Sequence, residues 1–160
     1  MFRASGTSGR SPTVVAQDYT GWVRTAVNGA GDAVDQILVS PVVRGGTMAP
    51  GGKLILIGDW DIVNSGLTKT LSMYVGATTL SAIGLTTSET LKAMIEMQVV
   101  TSNSQKIFNG SSYGASGNAY LSTALDITGD LTVNIKCKWS AAAVETITLV
   151  GYSIVYFPGV

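Results

Sequence analysis

Residues 131–139 read Leu-Thr-Val-Asn-Ile-Lys-Cys-Lys-Trp. Leu131, Val133, Ile135, Cys137 and Trp139 fall on one phase of a two-residue repeat, and Thr132, Asn134, Lys136 and Lys138 on the other. Successive Cβ atoms of a strand point to opposite sides, so this alternation predicts a strand with one dry face and one wet face. On a helix the same apolar residues would spread around the whole circumference, with both lysines among them.

The rest of the chain supplies partners for such a strand. Gln36 to Val43 (QILVSPVV) is rich in β-branched residues, but Pro41 cannot donate to a ladder, which points to an edge or bulged strand. Gly45-Gly46 and Pro50-Gly51-Gly52 punctuate the chain. Lys53 to Trp60 (KLILIGDW) is a continuous apolar run, expected to be a strand covered on both faces, in a sandwich core or at a subunit contact. Lys69 to Val75 alternates again, with Leu71, Met73 and Val75 inward, between the turn Asn64-Ser65-Gly66 and Gly76.

Ser88 to Thr101 carries two patterns. Thr86 and Glu89 have capping-box spacing, and Leu91, Met94, Ile95 and Val99 would share a helical face. Leu91, Ala93, Ile95, Met97 and Val99 also alternate with Lys92, Glu96 and Gln98, and the neighbouring strand signals favour a strand. Gln105 to Asn109 is a short strand, Gly110 to Gly117 a loop with Tyr113 at its tip, and Ala119 to Ile127 strand-like. In Glu145 to Phe157 the inward set changes phase at Val150-Gly151, from Ile147 and Leu149 to Tyr152, Ile154 and Tyr156, as a β-bulge requires. About eight strands with no firm helix predict an all-β antiparallel sandwich, jelly-roll-like, over residues 32–160.

Residues 1–31 differ in composition. Met1 to Pro12 is Gly- and Ser-rich, with Arg3 and Arg10 its only charges, and is expected to be flexible on its own. Tyr19 and Trp22 follow, large amphipathic groups of the kind that anchor interfaces. Two expectations stand: an arm that docks on a neighbour through Arg3, Arg10, Tyr19 and Trp22, or a segment that folds back on its own domain.

The chemistry of the chain is sparse. With no histidine, it lacks the commonest general base and metal ligand. Its single cysteine, Cys137, excludes an intrachain disulfide and reads as a small buried hydrophobe on the dry phase. Asp59 with Asp61, and Asp126 with Asp130, are the carboxylates to weigh as calcium ligands, but their spacing lacks the density of a calcium loop and suits turn caps. Gly29-Ala30-Gly31 is a lone glycine patch, and no nucleophile-elbow, phosphate-loop or dinucleotide motif occurs. No cofactor is therefore expected. Lys136 and Lys138 suit a solvated strand face, Trp60 and Trp139 a core, and Tyr113 a contact with something outside. Ten basic and ten acidic residues cancel, so no net field draws nucleic acid or an anionic membrane, and no apolar run is long enough for a membrane helix. A neutral, weakly charged surface favours association.

From Gly45 onward the order of features resembles small β-sandwich structural domains of tailed bacteriophage virions, found in head fibres, decoration proteins and tail fibres. The resemblance lies in the Gly-rich turn, the run Lys53 to Trp60, the Asn64-Ser65-Gly66 turn and Lys69 to Gly76. It continues in Thr123 to Thr128, the strand ending at Trp139, and Leu149 to Ile154. It implies a non-enzymatic virion component assembled in the host bacterial cytoplasm. Its partners would be copies of itself, typically three, and other virion proteins such as the major capsid or tail proteins. The alternative is a tail fibre or tail tip module that recognises a host glycan through loops such as Gly110 to Gly117. A small hydrolase is disfavoured by the missing histidine and motifs.

Overall fold

In the computed structural model, which describes residues 11–25, 35–63, 67–85, 89–109, 121–141 and 145–159, the stretch Leu131–Trp139 is a strand whose alternate residues are all buried. We number it β11. Ahead of it come β1 (Thr13–Asp18), β2 (Trp22–Thr25), β3 (Gln36–Val39), β4 (Val42–Val43), β5 (Lys53–Ile62), β6 (Lys69–Val75), β7 (Thr78–Leu85), β8 (Glu89–Thr101), β9 (Ser104–Asn109) and β10 (Leu121–Thr123). β12 (Thr146–Phe157) follows it. Among the described residues there is no helix, and hence none long and apolar enough to cross a membrane.

The strands form two antiparallel sheets. The large one runs β1-β12-β5-β8-β9-β10, with β2 also on β12; the small one runs β3-β11-β6-β7, with β4 also on β11. The pairing is nested: β1 and β2 with β12, β3 and β4 with β11, β5 with β8, β6 with β7. One long antiparallel ribbon wound into two layers leaves this nesting, which is the jelly-roll arrangement. Between the layers lies one core, including Leu54, Leu56, Trp60, Ile62, Met73, Val75, Ile95, Met97, Val133, Ile135, Cys137, Trp139, Ile147 and Leu149.

Most expected strands are present, in more pieces than expected. Gln36–Val43 is the edge of the small sheet, and its ladder is interrupted at Ser40-Pro41 to give β3 and β4. The stretch with two readings is strand β8, fully paired with β5. The phase change in β12 is a register shift between Leu149 and Gly151. Three differences have physical causes. Thr78–Leu85 is a strand, paired to β6 through a tight turn at Gly76 (φ 58°), where the expected pattern had ended. Ala119–Ile127 is strand only at Leu121–Thr123 among its described residues, because beyond Thr123 a side chain replaces a neighbouring strand as the partner of Leu125. And the expected arm is divided: Thr13–Asp18 and Trp22–Thr25 run in line along β12 as strands of the large sheet, whereas residues 1–10 and 26–31 lie outside the described residues.

Candidate functional site

The two sheets present outer faces of opposite character. On the small sheet the outward residues of β11 are Thr132, Asn134, Lys136 and Lys138, the wet phase of the alternation. Lys136 Nζ sits 4.0 Å from the centroid of the Tyr74 ring, a cation–π contact. Tyr74 donates its hydroxyl to Asp35 at 2.9 Å, and Lys138 lies 4.0 Å from the same carboxylate. Both lysines are thus engaged in a polar network that keeps this face solvated.

The large sheet's outer face carries an apolar stripe. Cross-strand partners share a side, so the registers set Val14, Val155, Ile55, Glu96 and Phe108 in one row across five strands. The next row holds Ser153, Ile57 and Met94, and Phe157 stands beside Lys53 in the row on the other side. Ile55, Ile57, Met94, Val155, Phe157 and Phe108 are half-buried by their neighbours, and Val14 is 53% exposed. Among the described residues, the expectation that Lys53 to Trp60 is covered on both faces is thus met on one face only. Charges gather toward the ends of this stripe, Lys53 and Lys106 with Glu96 at one and Asp59 and Asp61 with Lys92 at the other. Lys53 pairs with Glu96 at 3.3 Å at one end, and Lys92 with Asp59 at 2.9 Å at the other. The hydrogen bond to Asp59 raises the Lys92 ammonium above its ordinary range. An open groove beside that pair is lined by Asp59, Trp60, Thr90, Leu91, Lys92 and Val150.

Tyr19 lies at the margin of this face. The break between β1 and β2 stands opposite the bulge in β12, and the Tyr19 ring occupies the place where a side chain on residue 151 would project. Only glycine fits there, which is what ties the bulge to Gly151. Tyr19 is nevertheless 59% exposed. Trp22 is placed by its backbone, opposite Leu149. Arg3, Arg10 and Tyr113 lie outside the described residues. The structure therefore brings Tyr19 to the large sheet's outer face, a place that sequence reasoning did not assign to it.

The carboxylates weighed as metal ligands have other work. Asp126 accepts from the Thr128 hydroxyl at 2.6 Å and from its N–H at 2.9 Å, and these bonds hold its carboxyl below the ordinary range. Asp130 accepts from Gly45 N–H and from Arg44, both at 2.8 Å, with the same effect. Both are turn caps. Among the described residues no cluster of three or more His, Cys, Asp or Glu side chains could hold a metal ion. Trp60, Trp139 and Cys137 are fully buried in the core.

Two buried polar groups escaped sequence reading. Gln105 is fully buried and serves Leu125. Lys69 is fully buried and lies 3.2 Å from Glu145. A signal for the second existed: Lys69 falls on the inward phase of Leu71, Met73 and Val75. No protein-family model matches the chain, and neither does any curated protein. Among solved structures, it is similar to infectious bursal disease virus of the Gt strain at 14% identity and a TM-score of 0.37, over 94% of this chain and 33% of that one. It is also similar to the VP2 subviral particle of infectious bursal disease virus at 14% identity and a TM-score of 0.38, over 98% of this chain and 39% of that one. The chain thus spans little more than a third of the length of these structures, and its fold assignment rests on its own strand pairing.

Proposed function

We propose that this chain is a non-enzymatic structural component of a bacteriophage virion. It associates with copies of itself, three to an assembly, and attaches to the particle as a decoration, cement or fibre protein. One observation carries the self-association: the contrast between a solvated outer face on the small sheet and one with an apolar stripe on the large sheet, in a chain of zero net charge. The virion context and the number three come from the resemblance of residues 34–157 to phage β-sandwich domains. Attachment falls to the N-terminal segment, with Tyr19 and Trp22 as anchors and Arg3 and Arg10 as secondary contacts.

Sedimentation of the full chain at micromolar concentration tests the first part: a stable oligomer is expected, and a monomer would refute it. Addition to particles lacking the protein tests the second. The Tyr19→Ala/Trp22→Ala variant should fold, yet attach at least about 30-fold more weakly, the effect of losing a hot spot of about 2 kcal/mol. Attachment at full strength would remove these residues from the anchor.

A further inference from the structure

We infer that the outer face of the large sheet is the surface by which copies of this chain bind one another, an inference that rests on the self-associating reading above. The apolar stripe of Val14, Val155, Ile55, Ile57, Met94 and Phe108 crosses the middle of the sheet. Single exposed apolar side chains are ordinary on a protein surface, but a contiguous patch of this kind marks an interaction site. A sheet buries such a face by packing on another layer.

Size comes next. β12, β5 and β8 run together over the ten residues of β5 and β1 and β9 add six residues each, so at about 4.8 Å between strands the face covers roughly 700 Å² in plan. Each partner in a standard interface buries about 800 Å². The face is therefore large enough for a stable contact with a folded domain, and larger than a short peptide needs.

The charges identify the occupant. A surface that receives nucleic acid or an anionic membrane carries excess positive charge. Here one end of the stripe holds Lys53 and Lys106 with Glu96, and the other holds Asp59 and Asp61 with Lys92. The two ends carry small excesses of opposite sign that cancel over the face, so a strongly charged partner of one sign gains nothing. In a ring of three, the basic end of one copy's face meets the acidic end of the next, with the apolar stripes converging between them. Lys53 and Lys106 then face Asp59 and Asp61 across the contact. Like-charged repulsion, the usual barrier to self-association, does not arise in a chain with ten basic and ten acidic residues.

The test uses the full chain. Ile57 is outward and half-buried, so Ile57→Glu should leave the fold intact while placing a carboxylate in the contact. We expect the oligomer to weaken by at least about 30-fold in dissociation constant, as for a hot-spot residue. Thr132→Glu, on the outer face of the small sheet, should change nothing. Cross-linking decides the matter even if Ile57→Glu fails to fold. Ile57→Cys and Met94→Cys should each give linked copies with a bis-maleimide of about 10 Å reach, the spacing of packed sheets. Thr132→Cys should not, and buried Cys137 stays silent. An oligomer that survives Ile57→Glu and does not cross-link through residues 57 or 94 overturns this surface while leaving self-association standing. A monomer whose cysteine at position 57 resists the reagent would show that the chain covers the face itself. A wild-type monomer overturns both readings.

Discussion

Gln105 pairs with the backbone of Leu125 as a neighbouring strand would: Leu125 N–H donates to Gln105 Oε1 at 2.8 Å, and Gln105 Nε2 donates to the Leu125 carbonyl at 2.9 Å. The amide is buried, so this one side chain satisfies two backbone groups that have left the ladder after β10. That is how an irregular segment can close the end of a sandwich without orphaned polar atoms.

Gln105→Ala should therefore cost about 2 to 4 kcal/mol, the desolvation of two unpaired backbone groups offset by whatever water enters. Gln105→Glu should be no better. A glutamate retains the acceptor for Leu125 N–H but loses the donor, and sets a carboxylate against the Leu125 carbonyl. Urea titration of the three proteins checks the ranking.

The two faces of β11 give a second expectation. Ile135 is 1% exposed, and Ile135→Asp should cost several kcal/mol because a carboxylate is buried without a partner. Lys136→Asp, on the outer face, should cost no more than about 1 kcal/mol, chiefly the lost contact with Tyr74. Cys137 should react with a thiol reagent only at the rate of unfolding. Fast labelling of the native protein would mean that the faces are reversed.

Lys69 and Glu145 form a pair that is stabilising only as a pair. Lys69→Met should cost about 3 to 5 kcal/mol, since it leaves the carboxylate of a nearly buried glutamate alone. The double variant Lys69→Met/Glu145→Leu should regain most of that loss, because apolar replacement of both partners removes the desolvation penalty. Thermal unfolding of the single and double variants separates the two cases.

Acid should loosen the turns around Arg44 and Asp126. The Asp130 carboxyl is held below its ordinary value of 3.8 first by the Gly45 N–H and then by Arg44, and Asp126 is held low by Thr128. A carboxylate with a depressed folded pKa contributes stability that is fully present above its unfolded value. That contribution is lost as pH falls through the folded value. The stability curve should thus fall below about pH 4, the ordinary carboxylate value. Asp130→Asn should flatten that fall relative to wild type. An unchanged acid limb would exclude Asp130 as a contributor.

What was legible in the sequence is what a two-residue period can carry. β11, β6 and the inward half of β5 each bury one phase, so burial could be read directly from the letters. The bulge in β12 was visible because a phase change at Gly151 has few other causes. β7 was not, since Thr78–Leu85 buries Leu80 and Ser81 next to one another and its register shifts between Met73 and Tyr74 of β6. β1 and β2 were masked by composition: Gly- and Ser-rich surroundings signal a chain unable to build its own core, but these strands borrow a core by adding to β12. The candidate surface was half legible. The run KLILIGDW announced apolar groups on two sides, but only the register could place Val14, Val155, Met94 and Phe108 beside them.

The nested pairing has a consequence for how the chain comes to be folded. β12 lies between β5 and the strands β1 and β2, and Thr13 is paired with Tyr156. During synthesis β5 and β1 each present an open edge until β12 has been made, because the strand that joins them is the last in the order. Such long-range pairings put folding in the slow regime of all-β domains, roughly milliseconds to seconds. In that interval the apolar edge of β5 is exposed to other nascent chains. A ribosome paused before residue 146 would hold two unjoined parts of a sheet, and that is when the chain most needs a chaperone.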